Sequence, residues 1–185
     1  MKTTTEKDRS MSPTDDGQTG NPVGERTLGG WVDLRALYGD RWLERQTWQA
    51  VRQVVAAVPR LRAATPDEPA PARALALLTF CYATGVYASE DVEYALQRGG
   101  LPRSLVPRQP VSVAWLQAFR RANRPWIELA LAGLLARLPV SVEVCREEAH
   151  AAGADASPHE HRERCLRCAR RAVELAVQLD TALCD

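Results

Sequence analysis

The stretch "LALLTFCYATGVYASEDVEYALQRGG", Leu75 to Gly100, gathers Phe80, Cys81, Tyr82, Val86 and Tyr87 around one glycine, then turns acidic. Good helix formers fill Ala72 to Tyr82, with Leu75, Leu78 and Tyr82 at helical spacing on one face. Gly85 is suited to end that helix, because it accepts positive φ without a Cβ penalty. Ser89 then stands at a capping position, with Glu90 and Asp91 placed against the dipole of a second helix. That helix reaches about Arg98 and stops at Gly99-Gly100. The stretch is expected to be a helix-turn-helix-like corner.

The same periodicity extends in both directions. Leu43, Thr47, Ala50, Val51, Val54, Val55 and Val58 define an amphipathic helix from about Arg41, closed by Pro59. Ahead of it, Trp31 to Leu37 forms a short apolar patch. "LPRSLVPRQP" (101–110) carries Pro102, Pro107 and Pro110 and is expected to be extended loop. Ser112 can cap a helix from Val113 to about Asn123, with Trp115, Phe119 and Ala122 facing inward. Pro125 fits the first turn of a further helix carrying Ile127, Leu131, Leu134 and Leu138. Beyond Pro139 come a short helix (141–151), a turn, and a long helix from about His159 to Leu183. The apolar line of that last helix is Cys165, Cys168, Ala172, Leu175, Leu179 and Leu183. No segment alternates with period two, so the expected class is all-α. Residues 1–28 lack large apolar anchors and are expected to be a disordered tail. The division is then a tail (1–28), a helical domain (29–138) and a C-terminal helical extension (139–185).

Composition narrows the function classes. The chain has 185 residues, 45% of them apolar, and a net charge of +1. No apolar run approaches the ~18 residues needed to span a bilayer, and the N-terminus has no signal-like apolar region. Five cysteines without a small secreted framework read as reduced thiols. A cytoplasmic protein without membrane contact is expected. Lys2 and Lys7 are the only lysines among 24 basic residues, a bias that a GC-rich coding sequence also produces.

The charge is unevenly distributed. Between Glu93 and Glu128 no acid occurs, while Arg98, Arg103, Arg108, Arg120, Arg121 and Arg124 do. Such a window is either a solvated arginine face or the footprint of a polyanion partner. Within "FRRANR", arginine suits phosphate and guanine, and Asn123 suits adenine. A second constellation, "HEHRERCLRC", offers His159, His161, Cys165 and Cys168 as candidate zinc ligands. Against zinc, both cysteines lie on the apolar line of the last helix, and histidines two apart on a helix diverge. No phosphate loop, nucleophile elbow or His-Glu-x-x-His motif is present, so neither catalytic residues nor a cofactor is expected.

Two motifs together resemble a known family. "LLTFCYATGVYASEDVE" (77–93), followed across a Pro-rich loop by "LQAFRRANRPWIE" (116–128), is similar to the N-terminal helical region of bacterial DDE-class insertion-sequence transposases. There a "CYATGVYSSRRIE"-like turn precedes an "FRRxNR" helix. The sequence departs from that pattern at "QPVSVAW", where "PDW" or similar is usual. It also carries none of the strand-borne carboxylates of the catalytic domain. The resemblance implies a non-catalytic DNA-binding protein, truncated, split or domesticated from a mobile element and acting in transposition and DNA recombination. The partners it implies are terminal-repeat DNA at the nucleoid and a second copy or a full-length transposase. The alternative is a helical interaction module or transposition regulator acting through self-association or by binding a full-length transposase.

Overall fold

The computed structural model describes residues 34–61, 69–138 and 157–182. The expected tail and the expected helix at 141–151 lie outside them. Every regular element among the described residues is helical: α1 (Leu34–Tyr38), α2 (Asp40–Ala57), a 3-10 turn (Pro59–Leu61), α3 (Pro71–Ala83), α4 (Ser89–Gln97), α5 (Val113–Leu135) and α6 (Pro158–Ala182). The all-α expectation holds.

The helices end where local chemistry requires it. Gly85 takes φ 81°, Val86 N–H donates to Cys81 O (2.8 Å), and Gly85 N–H donates to Tyr82 O (3.3 Å). This is a Schellman closure of α3. Gly99 (φ 69°) closes α4 likewise, with Gly100 N–H donating to Ala95 O at 3.1 Å. At the other end of the chain, Ser157 Oγ accepts from Glu160 N–H (3.3 Å) while Glu160 Oε2 accepts from Ser157 N–H (2.7 Å). That reciprocal pair is a capping box, and Pro158 is the first residue of α6.

Helix α3 is the hub. The sequence places one face of it inward, but every residue from Ala74 to Ala83 is buried. A helix apolar on all sides belongs in the middle of a core. Around it, α2 turns in Leu43, Thr47, Ala50, Val51 and Val54, and α5 turns in Leu116, Phe119, Ile127, Ala130, Leu131 and Leu134. Helix α5 touches α2, α3, α4 and α6, and its contact with α6 is the most extensive. The innermost line of α6 is Cys165, Cys168, Ala169, Ala172, Val173 and Ala176, with Leu175 and Leu179 half-buried beside it. The seam is thus rotated from the expected leucine line toward small residues, which let α6 approach α5 closely. These residues join the same core as those of 34–138.

The two helices expected on either side of Asn123 are one helix with a kink. Asn123 leaves helical geometry (φ −124°, ψ 15°), and its Nδ2 donates to Phe119 O at 3.0 Å. Pro125, two residues on, has no N–H with which to continue the helical ladder. The Pro-rich loop, expected to be extended, turns at 103–105, where Leu105 N–H donates to Pro102 O at 2.9 Å, and it is pinned to the helices. Leu101 and Leu105 are buried, Trp48 Nε1 donates to Ser104 Oγ (2.9 Å), Ser104 Oγ bonds Glu44, and Arg73 donates to Val106 O at 3.2 Å.

Candidate nucleic-acid interface

The six arginines of the acid-free window divide into two sets. Arg120 belongs to the core, with a relative exposure of 1%. Its Nε donates to Tyr82 Oη (2.5 Å), Nη2 to Tyr87 O (3.0 Å), and Nη1 to Ala176 O (3.0 Å) and to the Asp180 carboxylate. The guanidinium also lies 5.5 Å from the centroid of the Tyr82 ring. Arg120 is therefore withdrawn from the DNA-contacting set. Burying a guanidinium is costly unless its donors are matched, and here α3, the turn after it and α6 supply the acceptors.

Asp180 completes the junction. Its carboxylate accepts from Ser89 N–H (2.9 Å) and from Ser89 Oγ (2.9 Å). The start of α4 is thus capped by a carboxylate from α6, and Ser89, expected to be the cap, is instead a donor to it. Asp180 was assigned no role from sequence. Burial pushes the Cys81 thiol up to about 12, and raises the Tyr82 and Tyr87 phenols above the tyrosine range, although Arg120 opposes this at Cys81 and Tyr82. These groups stay protonated and neutral around the Arg120 guanidinium.

Arg124 is engaged as well. Its Nε meets Glu128 Oε1 at 2.9 Å and its Nη2 meets Glu174 Oε2 at 2.6 Å, while Arg170 approaches Glu128 Oε2 at 3.6 Å. The hydrogen bonds to Glu128 and Glu174 raise the Arg124 pKa further. Arg124 ties α5 to α6, so it too leaves the phosphate-contacting set. Asn123 leaves the base-reading set, because its amide is turned back on its own helix. Helical spacing puts Arg120 and Arg124 on one face and Arg121 on another, but which face is interior depends on partners remote in sequence.

The second set is exposed. Arg98, Arg103, Arg108 and Arg121 face solvent, and none makes an ion pair among the described residues. Arg98 stands 5.1 Å from the centroid of the Tyr94 ring, one turn earlier on α4.

The candidate zinc ligands do not converge. His159 is exposed and faces Glu163 at 3.8 Å, and His161 Nε2 lies 3.7 Å from Cys165 Sγ. Cys168 is disulfide-bonded, so it is neither a metal thiolate nor the reduced thiol expected. Burial shows a cysteine's environment but not its pairing, which is why the sequence misled here. Cys81 and Cys165 are free and buried. No group of three or more potential metal ligands occurs among the described residues. No described helix is long and apolar enough to cross a membrane.

Compared with protein-family models, curated proteins and solved structures, the chain matches none.

Proposed function

We propose that these 185 residues form a non-catalytic, transposase-derived DNA-binding protein. Duplex DNA is held by Arg98, Arg103, Arg108 and Arg121, and the partner DNA of a mobile element is its terminal repeat. One observation carries this. Four exposed arginines without a carboxylate partner among the described residues fall in a stretch, 94–127, that contains no acid. Each phosphate contact releases condensed counterions, so affinity depends steeply on salt. The paired motifs of 77–93 and 116–128 support the family. Replacing all four arginines by alanine should abolish most duplex affinity and flatten its salt dependence while the helical circular-dichroism spectrum is kept. A folded quadruple variant that binds as before would refute the proposal.

A second reading, self-association or docking to a full-length transposase, draws on Leu129, which is 45% exposed on α5. Sedimentation of Leu129→Lys separates the two. A loss of oligomer with DNA affinity intact favours the interaction module.

A further inference from the structure

Helix α4 buries Ser89 and Val92 and turns Tyr94 outward, leaving the tyrosine 46% exposed. Large apolar side chains exposed to this degree are few among the described residues: Leu37, Tyr94 and Leu129. Tyr94 is the aromatic one among them, and the guanidinium of Arg98 lies 5.1 Å from its ring centroid. Arg98 is the last residue before the α4 closure at Gly99, and the loop beyond carries Arg103 and Arg108, also exposed. The acids of α4, Glu90, Asp91 and Glu93, precede Tyr94 in the chain, and the arginines follow it.

We propose that Tyr94 and Arg98 form a stacking platform for an unpaired nucleobase, with Arg98 holding the adjoining phosphate. This deepens the DNA-binding reading above and rests on it. The ligand class is single-stranded or frayed DNA. An aromatic ring can stack only on a base whose face is free, and in a duplex both faces are covered by neighbouring pairs. Exposed aromatic rings beside arginines on a cationic surface are the elements that single-strand binders combine, and stacking is tolerant of sequence. The acid-free window supplies the charge complementarity, which favours a nucleic acid over a second copy of this chain, whose net charge is close to zero.

The test uses the full chain, a short oligothymidylate and a duplex of equal length, with affinities from fluorescence anisotropy at fixed salt. Tyr94→Ala should weaken oligothymidylate binding about five- to hundred-fold, the range for one lost stacking contact, and leave duplex binding nearly unchanged. Tyr94→Phe should behave as wild type, since the ring suffices. Arg98→Ala should reduce the salt slope for both DNAs. Equal oligothymidylate affinity for Tyr94→Ala and wild type would overturn the platform while the duplex reading stands. A wild-type chain that binds neither DNA would overturn both. A Tyr94→Ala variant that loses only self-association in sedimentation would assign the surface to a second copy and overturn it too.

Discussion

Arg120 of α5 and Asp180 of α6, 60 positions apart in the chain, form a buried ion pair whose side chains are 1% and 11% exposed. The pair joins four helices, because Arg120 also bonds Tyr82 and Tyr87 O while Asp180 caps α4 through Ser89. A charge of this kind is tolerated only while every partner is present. Asp180→Asn is expected to destabilise the fold by about 3–5 kcal/mol, the usual result of leaving a buried charge uncompensated. Arg120→Lys should do nearly as much harm, since an ammonium cannot span the same acceptors. Urea unfolding of both variants and of the double variant measures this. A change below about 1 kcal/mol in either single variant would mean the junction is not what holds α6.

Gly85 tests the corner at the centre of the fold. Its φ is 81°, and an added Cβ meets nothing within 4 Å. The penalty of Gly85→Ala is therefore conformational and not steric, about 1–2 kcal/mol for a left-handed residue. Thermal unfolding should show that loss, and Gly85→Asn should recover part of it because asparagine tolerates this conformation. An alanine variant as stable as wild type would contradict the closure described.

The Asp40 carboxylate receives two hydrogen bonds from Arg35, at 2.7 and 2.8 Å, and its pKa is held below the usual aspartate value. With the folded value depressed, the pair's stabilisation is present above the unfolded pKa. It is lost as pH falls through the folded one. The difference in unfolding midpoint between wild type and Asp40→Asn should thus be largest near neutrality and shrink below about pH 4. Both residues are partly exposed, so the effect should also fade with added salt. A difference that grows on acidification would reverse the assignment.

Most of the fold was legible because local signals agreed with one another. Helical spacing in α2 and α5, Gly85, Gly99 and the proline positions all carry their physics within a few residues. The Ser157–Glu160 capping box is equally local, a serine and a glutamate three apart. What could not be read is what depends on a remote partner. Arg120 and Arg121 are adjacent and identical in type, about 100° apart on the helix. Partners 33 to 60 positions away, Tyr82, Tyr87, Ala176 and Asp180, decide which one is interior. The same holds for Arg124, whose partner Glu174 is 50 residues away.

That adjacency gives the most direct measurement. The central claim is that Arg121 faces DNA while Arg120 holds the core. Duplex affinity of Arg121→Ala should be measured against salt, beside its urea midpoint. The log–log slope should fall in magnitude by roughly 0.9, one phosphate contact, with stability within about 0.5 kcal/mol of wild type. An Arg121→Ala chain with unchanged affinity and slope would contradict the account.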